Sequence, residues 1–357
     1  MIEKLQKSFF EKSSADAALL ISEPQRKYLS GFNSSDGYLL ITKSAAYYLL
    51  DFRYAEAGRK AAHGKYEVLP LSSARKDLTD LVKREGIKSI ALEYAGISLK
   101  TAMDLRESFK EIGTDTILDE TLETEVKKLR MIKTPAEVEK IAKAQSITDK
   151  AFSEILNFIK PGKTEREIAA FLEYEMRVFG ADGPSFETIV VSGENGSQCH
   201  GVPTDRKVRE GDFLTMDFGA LYEGYHADMT RTVGIGSLSD RQVSAYELVY
   251  NAQQAAIAMI REGVSCFDVD KAARDMIEGV YPGRFGHGLG HCVGVEIHED
   301  PRFSPICHET LQENMVITVE PGVYLEGDFG LRIEDLIVVE KGGCRNLTES
   351  KKELILL

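Results

Sequence analysis

Apolar positions change their spacing along the chain. In the first third they come in short runs at 17–21, 37–42, 47–51, 66–70 and 87–93. Between these runs, at 1–12, 54–63, 74–85 and 99–107, apolar residues recur every three or four positions. The runs predict strands and the wider spacing predicts helices. The neighbouring runs at 37–42 and 47–51 predict a hairpin. Strands separated by helices predict a mixed sheet covered by helices, so 1–125 reads as an α/β domain. A charged stretch at 121–133 predicts a connecting helix at its end.

Residues 126–357 follow a different plan. Apolar residues at 138, 141, 144, 147, 151, 152, 155 and 159 predict one long amphipathic helix. The segment Gly162-Lys-Thr164-Glu-Arg-Glu167-Ile168 is similar to Gly263-Val-Ser265-Cys-Phe-Asp268-Val269. Each is a glycine, a hydroxyl residue and an acid three positions on, the pattern of a reciprocal helix cap. Each follows a helical stretch, at 136–159 and 241–261, and precedes glycine-rich strands. Two α-plus-hairpin halves are expected, although capping boxes are common enough to arise without a repeat.

Length adds that 357 residues exceed one ordinary core and suit two domains. The net charge of −13, without a basic cluster, argues against a nucleic-acid partner. The first twenty residues lack an apolar core and a small-residue cleavage site, so no signal peptide is expected, and no apolar run is long enough for a membrane span. Five cysteines, at 199, 266, 292, 307 and 344, lack CxxC spacing, which favours a reducing, cytoplasmic setting over a disulfide framework. Cys199 and Cys292 read as small fillers. Six of the seven histidines lie beyond residue 199, so chemistry is expected in the C-terminal part.

Three segments carry candidate chemistry. The runs ending at Asp217 and starting at Asp228 would form a hairpin centred near Tyr222 and Glu223, with Asp217 facing Asp228. Directly opposed residues have Cβ atoms about 5 Å apart, and two carboxylates that close repel unless a cation or proton separates them. Two solvated turn aspartates fit the same spacing. A second hairpin, centred on Gly327, would set Glu320 opposite Glu334 in largely apolar strands, where an unpaired acid pair is expensive. The third segment, Gly286-His287-Gly-Leu-Gly290-His291 through His298, packs three histidines into twelve residues, and in extended chain 287, 289 and 291 would share a face. Asp217, Asp228, His291, Glu320 and Glu334 together offer four carboxylates and one imidazole. That oxygen-rich set suits two divalent cations, Mn²⁺ or Co²⁺ before Zn²⁺.

These motifs resemble the pita-bread metallopeptidases, and within them the branch of aminopeptidase P and prolidase. The resemblance rests on Asp217-Phe-Gly, His226-Ala-Asp228-Met-Thr-Arg-Thr, Gly286-His-Gly-Leu-Gly-His291, Val295-Glu-Ile-His298-Glu-Asp-Pro, Thr318-Val-Glu320-Pro-Gly and Arg332-Ile-Glu334-Asp. Tyr28-Leu-Ser-Gly-Phe32 and Asp51-Phe-Arg53-Tyr54 are similar to motifs of the branch's creatinase-type N-terminal domain, which methionine aminopeptidases lack. The resemblance implies an α/β N-terminal domain and an α+β catalytic domain with a pseudo-twofold repeat. It implies that Asp217 chelates one metal, that Asp228 and Glu334 bridge two, and that His291 and Glu320 complete the other's shell. Glu320 would also shuttle a proton. His200, His287 and His298 match substrate-side histidines, one of them a donor to the developing oxyanion. Arg332 would hold neighbouring carboxylates, and Phe186 would wall the proline ring. The implied activity is release of the N-terminal residue from short peptides with proline second, by a homodimer. The alternative is a dipeptidase (prolidase). Creatinase-like amidinohydrolases and non-enzymatic binders on this scaffold have lost the metal ligands, whereas all five stand here.

Overall fold

The computed structural model describes residues 1–357 and divides into two compact units, Met1–Arg130 and Met131–Leu357. In the first, α1 (Ile2–Phe10), β1 (Ala17–Leu20), α2 (Glu23–Ser30), β2 (Tyr38–Thr42), β3 (Ala46–Leu50) and α3 (Phe52–Ala62) come first. They are followed by β4 (Glu67–Pro70), α4 (Ala74–Arg84), β5 (Ser89–Leu92), α5 (Leu99–Glu111), β6 (Asp115–Ile117) and α6 (Thr121–Met131). The strands form one sheet in the order β4-β3-β2-β1-β5-β6. It is mixed: β1 pairs antiparallel with β2 and parallel with β5. Leu19, Leu40, Leu49 and Ile90 of the sheet pack against Leu78, Leu81 and Val82 of α4 and Leu105 and Phe109 of α5. The expected mixed sheet with helices is therefore present. Spacing does not mark α2, a two-turn helix started by Pro24 and ended at Gly31 in left-handed conformation, or the three-residue edge strand β6.

The second unit holds α7 (Pro135–Phe158), α8 (Glu165–Val178), β7 (Gly183–Pro184), β8 (Ile189–Ser192), a 3₁₀ turn (Gly193–Ser197), β9 (Phe213–Phe218), β10 (Ala220–Tyr222), β11 (Tyr225–His226) and β12 (Met229–Gly234). A second set follows: α9 (Asp240–Met259), α10 (Cys266–Glu278), β13 (Gly290–Cys292), β14 (Glu299–Phe303), β15 (Val316–Val319), β16 (Gly322–Leu325), β17 (Phe329–Arg332), β18 (Asp335–Glu340) and β19 (Gly343–Asn346). Each set is a helix pair on strands. Ile147, Ala151 and Ile155 of α7 and Ile168, Leu172 and Met176 of α8 enclose Leu214, Met216 and Phe218 of β9. Val249, Ala252 and Ala256 of α9 and Val269, Ala273 and Ile277 of α10 enclose Ile317, Val319, Val323, Leu331 and Ile337.

The repeat extends to local hydrogen bonds. Thr164 bridges Lys207 and Ser265 bridges Thr310, both antiparallel. Glu165 N donates to Arg206 O in the first half, and Cys266 N donates to Glu309 O in the second. The caps differ. Thr164 and Glu167 form the reciprocal box, whereas Ser265 accepts from Phe267 N and Asp268 does not reach back as expected.

Strand alternation aims the chemistry. On β9, Leu214, Met216 and Phe218 enter the α7/α8 core, so Thr215 and Asp217 project the other way. The turn between β10 and β11 is centred on Glu223 and Gly224, with φ of 46° and 81°. Two left-handed central residues give a two-residue hairpin turn. The expected centre lay one residue earlier, so the expected direct opposition is corrected: Asp217 faces Thr230, and Asp228 is two residues from that position. An error of two keeps parity, so both aspartates remain on one face. Gly219 is required beside them, since a Cβ there would lie 1.9 Å from the Ala227 carbonyl oxygen. In the second hairpin, Val319 pairs with Asp335 and Gly322 with Arg332. Glu320 and Glu334 occupy the same register at the gap between those two ladders.

Candidate metal centre and active site

One cavity of about 510 Å³ collects all ten residues singled out from the sequence: Phe186, His200, Asp217, Asp228, His287, His291, His298, Glu320, Arg332 and Glu334. At its floor, carboxylate oxygens of Asp217, Asp228 and Glu334 all lie within 4.8 Å of one another, and all three residues are buried. His291 Nε2 lies 3.5 Å from Asp228 Oδ2 and 3.4 Å from Glu320 Oε1. Its Nδ1 is 3.0 Å from the Cys292 carbonyl oxygen. That bond assigns the ring proton to Nδ1 and leaves Nε2 as an electron-pair donor facing the acids.

Arg332, 4% exposed, ties the acids together. Its Nη2 is 2.5 Å from Asp217 Oδ2 and its Nε is 3.9 Å from Glu320 Oε2. Nε also donates to Thr230 Oγ1 at 2.9 Å, and that hydroxyl donates to Glu334 Oε2 at 2.7 Å. Thr318 Oγ1 donates to Glu320 Oε1 at 3.2 Å.

The charge balance is unfavourable for the protein alone. Burial, then the Glu334, Asp217 and Glu320 charges, raises the Asp228 carboxyl well above its ordinary range. Burial and the Glu320 and Asp217 charges do the same to Glu334. Burial pushes Glu320 up to about 7, with Arg332 opposing. Burial lowers His291 to about 3, which keeps it neutral. Asp217 Oδ1 and Glu334 Oε1 are buried with no hydrogen-bond partner. Orphaned buried acceptors of this kind require a partner. Clustered carboxylate oxygens beside a bare imidazole nitrogen are the donor set of hard divalent cations, so these residues fit a metal centre.

The histidines differ in freedom. His287 Nδ1 is 2.7 Å from Gly288 O, and its Nε2 is 3.0 Å from the Tyr324 hydroxyl. Tyr324 in turn accepts from Arg332 Nη1 at 2.8 Å. Both His287 nitrogens are thus engaged within the protein, and burial lowers its pKa to about 4. His298 and His200 are exposed at the cavity, and the His298 ring meets His291 edge-on with centroids 4.5 Å apart. The expectation that 287, 289 and 291 share a face is also corrected, because Leu289 packs into the α9/α10 core. The chain at 286–289 is not a strand: Asp270 accepts from Leu289 N, and Arg274 donates to Phe285 O and His287 O, bending it. Tyr324, Thr230 and Arg302, which also lines the cavity, were not singled out from the sequence, where neither spacing nor residue type marks them.

A divided acidic floor, a bare imidazole and a helix-pair repeat define a metallopeptidase of the pita-bread class. Residues 139–341 match the model of metallopeptidase family M24, and the chain belongs to that family. Residues 1–132 match the creatinase/prolidase N-terminal domain. The Xaa-Pro dipeptidase of Pyrococcus horikoshii is 38% identical over 365 residues, covering 99% of each chain. Among solved structures, an Xaa-Pro dipeptidase from Bacillus anthracis superposes with a TM-score of 0.94 at 38% identity, over 100% of this chain and 99% of that one. An X-Pro aminopeptidase from Thermotoga maritima does so with a TM-score of 0.89 at 38% identity, over 98% and 99%. No helix is long and apolar enough to cross a membrane.

Proposed function

We propose that this chain is a two-metal exopeptidase that cleaves the bond before proline, releasing the N-terminal residue from short peptides with proline in second position. The observation that carries the reading is the buried acid cluster of Asp217, Asp228 and Glu334, with two partnerless oxygens, at the floor of a cavity walled in part by Phe186. Asp217, Asp228, His291, Glu320 and Glu334 would hold the two ions, Mn²⁺ or Co²⁺, with Zn²⁺ also compatible with the donor set. When bound, such ions supply Lewis acidity and lower the pKa of water.

The chain's own residues have distinct tasks. An Xaa–Pro bond is a tertiary amide without N–H, so a strand-like grip on the substrate fails there and a pocket must hold the ring. Phe186 walls that pocket. His298, exposed at the cavity with no competing partner inside the protein, donates to the carbonyl oxygen as charge develops on it. His287 supports Tyr324 and Arg332 instead. Glu320 carries the proton that the departing proline nitrogen needs. His200 binds substrate from the opposite loop. Arg332 fixes Asp217 and orients Thr230 toward Glu334. The protein works in the cytoplasm as a homodimer.

One observation favours the dipeptidase as second reading. Arg302 places a cation in the cavity, where the free carboxylate of an Xaa-Pro dipeptide would be attracted. Hydrolysis of a tripeptide Xaa-Pro-Xaa, a dipeptide Xaa-Pro and a proline-free tripeptide, each with Mn²⁺, separates the readings. Preference for the first peptide supports the aminopeptidase and preference for the second supports the dipeptidase. Equal cleavage of the proline-free peptide would refute both.

A further inference from the structure

Glu165 is the first residue of α8 and is fully buried, 0% exposed. Its Oε1 accepts from Ser192 N at 2.7 Å, Ser192 Oγ at 2.8 Å and Asn195 Nδ2 at 3.2 Å. Its Oε2 accepts from Thr204 Oγ1 at 2.6 Å, Thr204 N at 3.0 Å and Asn195 Nδ2 at 3.3 Å. Every polar group on this carboxylate is a donor. Ser192 ends β8, Asn195 sits in the 3₁₀ turn, and Thr204 closes the loop. Between them run Cys199, His200, Gly201, Val202 and Pro203, all of which line the cavity.

Other contacts also hold the loop: Arg332 Nη1 donates to Cys199 O at 3.2 Å, Arg166 donates to Pro203 O through Nε and to Thr204 O through its backbone N, Arg206 reaches Ser192 Oγ and Glu194, and short turn bonds run from Gln198 N and Gly201 N. Among these groups, Glu165 alone bonds Ser192, Asn195 and Thr204 together. In the internal repeat, the second helix of the other pair starts without an acid at this position. The matching position in the second half is Cys266, where the same backbone bond is made and α10 forms without it.

We propose that Glu165 is a positioning residue for the hydrolysis. Its carboxylate draws Ser192, Asn195 and Thr204 to one point and so sets the loop that presents His200 to the substrate. The inference rests on the reading of His200 as a substrate-binding side chain. Glutamine cannot replace the acid, because each carboxylate oxygen accepts a backbone N–H and one of them would meet an amide NH₂ instead.

The test uses the full chain with Glu165→Gln. Hydrogen exchange read by mass spectrometry should accelerate about tenfold or more across 192–204 and stay unchanged in β9 and β12. Metal content should be unchanged, while KM for the Xaa-Pro-Xaa tripeptide rises by on the order of 10- to 100-fold. His200→Ala should raise KM in the natural chain but add less than about twofold in the Glu165→Gln background, since coupled residues are not additive. Unchanged exchange and KM, or fully multiplicative effects of the two substitutions, would overturn the proposal. Should Glu165→Gln fail to fold, Thr204→Val and Asn195→Ala remove donors from the other side and carry the same expectations. If the natural chain does not cleave the peptide, the proposed function fails, while the exchange data still decide whether Glu165 sets the loop.

Discussion

Glu334→Gln should reverse its effect on stability depending on metal. The side chain is 1% exposed, Oε2 accepts from Thr230, and Oε1 has no partner. An unsatisfied buried polar group costs about 1–3 kcal/mol. Glutamine keeps an oxygen for the Thr230 hydroxyl and turns an N–H toward the Asp217 and Asp228 oxygens, converting repulsion into donation. The carboxyl of Glu334 titrates well above its usual 4.5, owing to burial and then to Glu320 and Asp217. A group whose folded pKa is raised stabilises below the unfolded pKa and loses that contribution as pH rises through the folded one. In chelator, the natural chain should therefore weaken as pH rises above 4.5, and the variant should weaken less. At alkaline pH the chelated variant should be the more stable by about 1–3 kcal/mol, or roughly 3–8 °C in melting temperature. With Mn²⁺ at about 100 times its dissociation constant the natural chain gains about 2.7 kcal/mol per site and the variant gains little, so the order reverses. Calorimetric melts in chelator and in Mn²⁺ read both. A chelated variant that melts below the chelated natural chain, or equal metal-induced gains in the two, would show that Glu334 does not carry this repulsion.

Asp16 accepts from Lys88 N and Ser89 N, which hold its carboxyl below the ordinary range, the Lys88 bond most of all. Its contribution is present above the unfolded pKa and lost as pH falls through the folded one, so the melting difference between the natural chain and Asp16→Asn should shrink as pH is lowered through the carboxylate range. Gly219→Ala would press a Cβ to 1.9 Å from the Ala227 carbonyl oxygen; urea unfolding should show a loss of about 3 kcal/mol or more, with weakened Mn²⁺ binding by calorimetry. Arg231, 1% exposed, pairs with Asp335 at 2.8 Å and donates to the carbonyls of Glu334, Ser350 and Lys351. Arg231→Met should cost about 3–5 kcal/mol in the same assay, since the buried carbonyls and Asp335 Oδ1 lose their donor.

Much of the site was legible because residue type and parity survive small errors. The gap register of Glu320 and Glu334 follows from a turn at Gly327, whose φ of 73° requires a residue like glycine. The Asp217 hairpin was misplaced by one turn position, and the period of two still kept both acids on one face. What spacing missed has three-dimensional causes. Leu289 leaves the face of its neighbours because Asp270 and Arg274, on a different element, bend the chain. His287 keeps the residue type of a substrate donor but spends both nitrogens on Gly288 and Tyr324. Glu165 looks like any acid in a first helical turn until the fold brings Ser192, Asn195 and Thr204 to it. The short α2 and β6 offer too few residues for a period to show.

Titrating Mn²⁺ into chelated, dialysed protein decides whether a two-metal centre on these five ligands performs the hydrolysis. Release of the N-terminal residue from an Xaa-Pro-Xaa tripeptide is followed together with bound metal per chain. Turnover should be absent without metal, recover to a plateau at about two ions per chain, and stay absent in Asp228→Asn. Full turnover in protein holding less than about one ion per ten chains, or none at two ions per chain, would contradict hydrolysis by that centre.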